Sequence, residues 1–369
     1  MEVLIFTSIS TVFCVAFIEG CAMGRVVDEI TEINTLLGID PVSAVTVPEI
    51  VDIRKHVHFQ LHTRETTKDG VVFTLDSSAF IKSTFDVHKP VKIMVHGFLG
   101  RLRDGWMTTA KDAMLTWEDA NVILVGWTEI TQVLLYPWVV QQSFLVAQYL
   151  GDLVDFLVEH GTPSAHIHMI GHSIGAHIAG VASKEATSGI VGRITGLDAA
   201  WPLYKGLREF DRLDATDADF VDCIHTSSGL LGIPHPHCDA DFYPNGGTIY
   251  QPGCNVLTLA ICSHRRSHDY FTESLDPNRK FKAYTCSPSL LTLLDCLDEG
   301  ALMGYPSSSS HKGIFYVPTR DYPPYSATDD SDNPSTWITT SGAFLLVSSS
   351  FLLLCHFVLR TSSPNKSHA

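Results

Sequence analysis

The chain has 369 residues, a formal net charge of −15 and 45% hydrophobic residues. That length can bury one large α/β core or two smaller ones. The acidic balance and the lack of any basic run argue against a nucleic-acid partner.

Residues 1–22 read as a secretory signal. Val3–Phe17 is an apolar run, and Gly20, Cys21 and Ala22 supply small residues for cleavage before Met23. Glu2 stands where a positive charge is usual, and an N-terminal anchor is the alternative, although the run is short for a span. The body, residues 23–325, opens with few signals up to about Pro48, a stretch expected to wrap the domain edge. His56–His62 then alternates as a strand does. Val91–Val95 and Asn121–Trp127 are uninterrupted apolar runs, which suit strands covered on both faces of a parallel sheet. Between Val139 and His160 the apolar residues Ala147, Leu150, Val154, Leu157 and Val158 recur near helical spacing. Gly161 and Pro163 then stop the helix. Ile194–Leu197 and Asp219–Thr226 are further short strands. Strands and helices alternate, so the fold class is α/β, with a central, mostly parallel sheet flanked by helices.

In the middle of this pattern stands IHMIGHSIGAHIAGVA, Ile167–Ala182. An apolar strand meets Gly171-His172-Ser173-Ile174-Gly175, and a helical pattern follows at once. G-x-S-x-G between a strand and a helix holds its serine on a strained turn with the hydroxyl exposed at the sheet end. The helix that begins at Ile174 aims its free N–H groups at that hydroxyl. A serine hydroxyl attacks only when a base takes its proton and a third group orients the base. In such sheets the order is Ser, Asp, His. Asp198 directly follows the strand Ile194–Leu197, and His264 lies in a loop after Cys262, although 18 histidines make chance candidates easy. Asp222, mid-strand, is the rival acid. His172, His177 and His268 read as packing groups.

Nine cysteines are present; Cys14 and Cys21 fall in the signal and Cys355 in the C-terminal apolar segment. Cys223, Cys238, Cys254, Cys262, Cys286 and Cys296 remain. An even number behind a signal suits disulfides in an oxidising compartment, with sequential neighbours favoured among the pairings. A zinc site from His235, His237 and Cys238 is the alternative, against which the lack of C-x-x-C spacing counts.

After Tyr325 the composition changes. Residues 326–342 are rich in Ser, Thr, Asp, Asn and Pro and read as a linker. Residues 343–359 are strongly apolar and read as a membrane anchor, followed by a polar tail, 360–369, with Arg360 and Lys366. A lipid-anchor signal with small residues near Ser331–Asn333 is a second reading, against which the polar tail counts, and an amphipathic or disordered tail is a third.

IGHSIGAHIAG, ITGLDAA and CSHRRSHDYFTES resemble the nucleophile, acid and histidine segments of the pancreatic-lipase-like family. VHGF, RLDATDADFVDCIHT, DFYPNGG, QPGC and GIFYVPT match further family signatures in order, over about Val57 to Tyr325. The resemblance implies an α/β-hydrolase fold and a carboxylic-ester hydrolase acting on lipids. Ser173 would be the nucleophile, Asp198 the orienting acid and His264 the base. Phe98 and Ile174 would supply the oxyanion-hole N–H donors. The pairings Cys223–Cys238, Cys254–Cys262 and Cys286–Cys296 are expected.

By position Asp214 and Asp217, with Glu209 and Arg212, resemble a calcium loop of the family's long-chain lipases, whose oxygen donors suit that ion. No cofactor is required for the chemistry, and any calcium would be structural. A solvated acidic loop paired with Arg212 is the rival reading. Ala215 and Ala199 stand where the family usually has proline, and Gly126 where it has aspartate.

Only Asn255–Ile261, seven residues, lies between the two cysteines that resemble the lid clamp. Such a stub makes at most about two helical turns. A short lid resembles the phospholipase A1 branch more than the triglyceride lipases, so phospholipids are expected ahead of glycerides. No β-sandwich domain is read after Tyr325, so no colipase is expected. Lipid-surface contact falls to Val256, Leu257, Leu259 and Ile261 or to the tail. The expected location is extracellular, tethered at the outer face of the plasma membrane by the C-terminal segment. A catalytically inactive lipid-binding or storage protein on the same scaffold is the alternative function.

Overall fold

A computed structural model describes residues 52–326 apart from 76–77, 104, 256–257 and 287–295. The signal, the stretch to Pro48, the linker, the apolar segment 343–359 and the tail lie outside the described residues. The chain divides into two units, Met1–Ser326 and Ala327–Ala369. Among the described residues no helix is long and apolar enough to cross a membrane.

The first unit is built on an 11-stranded sheet. Its strands are β1 (His58–His62), β2 (Val71–Phe73), β3 (Val91–Val95), β4 (Asn121–Gly126), β5 (Ile167–His172), β6 (Val191–Leu197), β7 (Ala218–Ile224), β8 (Ala240–Pro244), β9 (Phe281–Cys286), β10 (Cys296–Met303) and β11 (Gly313–Val317). They lie in the order β10-β9-β11-β8-β7-β6-β5-β3-β4-β1-β2. The run from β4 through β3, β5, β6, β7 and β8 to β11 is parallel. Antiparallel pairs close both edges, β1 with β2 and β4, and β9 with β10 and β11.

The longer helices are α1 (Gly105–Trp117), α2 (Tyr136–Glu159), α3 (Ile174–Glu185) and α4 (Leu259–Glu273). Alternate strand side chains face opposite sides of the sheet, so each strand feeds two cores. Ile93, Val95, Ile123, Val125 and Met169 pack with Leu150, Leu153, Leu157 and Ile178 of α2 and α3. Met94, Val122, Leu124, Ile170 and Leu197 pack with Met107 and Met114 of α1 and Tyr270 and Phe271 of α4. Residues β3 to β5 are buried throughout, as their unbroken apolar runs require. At Gly126 a Cβ would stand 2.6 Å from His58 Nε2, so the His58 ring fills the space a side chain there would take.

Candidate active site

The site is set by where β5 and β6 end. Their register pairs His172 with Leu197, so Ser173 and Asp198 leave adjacent strands at the same level. The Ser173 N–H donates to the Leu197 carbonyl at 3.0 Å, and the Ala200 N–H donates to the Ser173 carbonyl at 3.3 Å. Ser173 is thereby tied to the backbone on both sides of Asp198. Its φ of 59° and ψ of −123° make the strained turn that the motif demands. A Cβ on Gly171 would stand 2.2 Å from the Gly175 carbonyl oxygen, which is why glycine is required under the elbow. The residue is only 7% exposed, less than the sequence leads one to expect. The cover is the turn after β3, where a Cβ on Gly97 would lie 2.6 Å from Ser173 Cβ and 3.2 Å from Oγ.

That turn also brings in Phe98, half-buried against Tyr136 with ring centroids 5.1 Å apart. Ile174 is the first residue of α3, so its N–H has no intrahelical acceptor and the positive helix end faces the serine. The backbone segments expected to supply the two donors therefore flank Ser173.

Asp198 is fully buried. Its Oδ1 accepts from the Thr226 and Ser227 N–H groups at 2.7 and 3.0 Å, and His264 Nδ1 donates to Oδ2 at 2.5 Å. With Nδ1 as the donor, Nε2 carries the lone pair, which is the tautomer a general base needs. The His264 and His172 rings lie 4.6 Å apart, which puts the imidazole beside the residue that precedes Ser173. His172 Nε2–H donates to the His264 carbonyl at 3.2 Å. Burial, and then the neighbouring His264 and His268, push His172 well below the ordinary imidazole range, so it stays neutral. His268 stacks on Trp106 with centroids 5.1 Å apart, closing the far side of this histidine cluster. Trp106 carries no chemistry of its own, and no motif signals its place.

His264 departs from the loop expected for it: it sits inside α4. The helix starts at Leu259, within the lid stub, and runs through to Glu273. Cys254 and Cys262 are joined, with Cα atoms 5.7 Å apart, so the clamp ends in the helical turn that presents His264. Cys223 and Cys238 are joined as well. Cys286 and Cys296 are register partners across β9 and β10. His237 Nε2 lies 3.7 Å from Cys223 Sγ, but cystine sulfurs offer no thiolate to zinc.

Asp222 belongs elsewhere. It accepts from Arg193 Nε and Nη2 at 2.8 and 3.1 Å and from the Thr195 hydroxyl at 3.0 Å, a structural pairing beneath the sheet end. His177 is buried in α3, stacked on Tyr204 at 3.8 Å. Its Nε2–H donates to the Ala200 carbonyl at 2.7 Å, while Nδ1 accepts from the Leu213 N–H at 3.1 Å.

The Glu209 and Arg212 carbonyls and the Asp217 carboxylate do converge, but around an ammonium group, while Asp214 stands aside with its Oδ2 4.0 Å from Arg212 Nη1. Lys184 Nζ donates to the Glu209 and Arg212 carbonyls at 2.7 and 2.8 Å and lies 2.9 Å from Asp217 Oδ1. Asp214 Oδ1 is taken up by the N–H and hydroxyl of Thr216 at 3.2 and 3.1 Å. Calcium needs six to eight oxygens at about 2.3–2.6 Å and cannot share these three with a positive charge already among them. The residues present do not fit the ion.

The Lipase family profile matches residues 34–313. Pancreatic triacylglycerol lipase of Mus musculus is 34% identical over 300 residues, 72% of this chain and 64% of that protein. The Homo sapiens protein of the same name is 32% identical over 255 residues, 63% of this chain and 55% of that one. The chain thus spans between about half and two thirds of the length of these relatives. Among solved structures, Est1E from Butyrivibrio proteoclasticus is 12% identical, with a TM-score of 0.31 over 47% of this chain and 76% of that one.

Proposed function

The chain belongs to the lipase family, and on that premise we propose that it hydrolyses carboxylic esters of lipids through Ser173, His264 and Asp198. The observation that carries this reading is the 2.5 Å bond from His264 Nδ1 to buried Asp198, beside a strained serine turn. His264 Nε2 takes the Ser173 proton as Oγ bonds to the ester carbonyl carbon. The charge on the carbonyl oxygen falls between the Phe98 and Ile174 N–H donors. As the tetrahedral centre collapses, the ester C–O bond breaks and His264 returns the proton to the leaving alcohol. Water, deprotonated by His264, then releases the fatty acid from Ser173 by the same steps in reverse. Asp198 keeps the imidazole in its tautomer and stabilises the transient imidazolium.

The substrate class we favour is phospholipid ahead of glyceride. Its support is the short clamp between Cys254 and Cys262, which leaves little to cover a headgroup at the reacting end. Ile261, 57% exposed on that stub, supports contact with a lipid surface. The two joined cysteine pairs support an extracellular location. Anchoring through residues 343–359 is part of the proposal.

The test offers phosphatidylcholine and triolein side by side to the purified chain. Faster release of lysophosphatidylcholine than of diacylglycerol is expected, and the opposite order overturns the substrate preference alone. A fluorophosphonate should label wild type but not Ser173→Ala. A folded wild type that stays unlabelled and releases no fatty acid overturns the hydrolase reading in favour of a lipid-binding protein.

A further inference from the structure

The 209–217 loop is closed on α3 by a cation that the chain itself supplies. The sequence prepares this locally. Gly180 lies one turn before Lys184, and a Cβ there would meet Asp217 Oδ2 at 2.4 Å and Leu213 Cα at 2.9 Å. Its missing side chain lets the loop settle directly on the helix. Asp217 is then fully buried, and its Oδ2 accepts from the Asp214 N–H at 2.9 Å. Oδ1 is left facing the next turn of α3. Lys184 rises from that turn, its side chain 12% exposed, and ends among Glu209 O, Arg212 O and Asp217 Oδ1. The Phe210 ring covers the ammonium at 5.7 Å.

Three oxygens from three residues of one loop, two of them backbone carbonyls, converge on a single positive centre. Backbone carbonyls turned inward repel one another unless a cation stands between them, and a buried carboxylate needs the same charge. The ammonium donates to the two carbonyls and stands in ion-pair contact with the carboxylate oxygen at 2.9 Å. The arrangement therefore has the donor chemistry of a metal-bound loop, with its centre already filled.

We propose that Lys184 is a tethered cation that takes the place of a metal ion in the 209–217 loop, so that the loop is held closed without calcium. The loop ends immediately before β7, and the Leu213 N–H is bonded to His177 beneath the nucleophile helix. Holding it closed therefore steadies the helix that begins just after Ser173. This inference stands whether or not the ester-hydrolase reading does, since its test reads unfolding.

Thermal unfolding of the full chain is followed in excess EDTA and in millimolar calcium chloride, for wild type, Lys184→Ala and Lys184→Met. Wild type should unfold at the same temperature in both. Lys184→Ala, which opens the space and leaves the oxygens, should lose on the order of 5–10 °C in EDTA and regain a substantial part with calcium chloride. Lys184→Met, which fills the space without charge, should lose stability and regain none. A wild type destabilised by EDTA overturns the proposal, as does a Lys184→Met variant as stable as wild type. If Lys184→Ala does not fold in EDTA, refolding in calcium chloride gives the same reading: recovery supports the proposal and failure to recover overturns it.

Discussion

His264 reaches Asp198 from a helix that begins inside the lid stub, and the bond between them is 2.5 Å long. Asp198 holds its other oxygen against two backbone N–H groups, so the carboxylate cannot turn away when the imidazole changes charge. In Asp198→Asn the amide oxygen would keep those N–H groups and the NH2 would face His264 Nδ1. That donor forces the proton onto Nε2, the wrong tautomer for a base. Ester turnover at neutral pH should fall by about 10⁴-fold, with circular dichroism and melting temperature close to wild type. A loss below tenfold would show that another group orients the imidazole.

Asp222, the competing acid in the sequence, gives the opposite pattern. Its carboxylate is fully buried against Arg193, which also donates to the Gly304 and Tyr305 carbonyls at 2.8 Å. Asp222→Asn leaves the guanidinium partly buried without an anion, which should cost on the order of 3 kcal/mol of stability. Turnover per folded molecule, measured well below the melting temperature, should stay near wild type. Melting curves and active-site titration on the same sample separate the two effects.

The strands around the nucleophile are legible in the sequence because they are buried on both faces, so β3, β4 and β5 read as unbroken apolar runs. The serine and its acid are legible because the elbow and the residue after β6 are fixed by local geometry. α4 is not legible by periodicity. Its inward face carries Ser263, Arg266, Ser267 and His268 as well as Tyr270 and Phe271, and Arg266 is buried by hydrogen-bonding Pro252 and Tyr325. A polar face whose burial depends on partners distant in sequence, such as Pro252 and Tyr325, looks like a loop in one dimension. Lys184 is hidden for a related reason. Its charge reads as an ordinary last-turn lysine until the 209–217 loop folds back on α3. The strands β9 to β11 at the far edge gave no alternation of their own, and only the family signature GIFYVPT marked one of them.

The Cys254–Cys262 clamp closes an eight-residue separation whose second cysteine lies in the first turn of α4, just before His264. Replacing both cysteines by serine should lower stability by about 2 kcal/mol through loop entropy alone. Because the freed turn carries the base, kcat should fall more than KM rises. An unchanged kcat with a lower melting temperature would mean that α4 holds His264 without the clamp.

His177 makes stability depend on acid. Burial in α3 pushes its imidazole down to about 3, and the bond its Nε2–H makes to the Ala200 carbonyl opposes that only in part. The unfolded chain therefore binds a proton near the ordinary histidine value that the folded chain refuses. Its stabilising contribution is complete above about pH 6.5 and declines steadily as the pH falls toward about 3, by a few kcal/mol in all. Protonation would also set a proton on Nδ1 against the Leu213 N–H, which donates to that lone pair at 3.1 Å. His177→Gln should be less stable than wild type at pH 8, having lost the stack on Tyr204. Its melting temperature should nevertheless fall less between pH 7 and pH 4. Parallel slopes for the two proteins across that range would place the acid sensitivity in other buried histidines, such as His172 or His237.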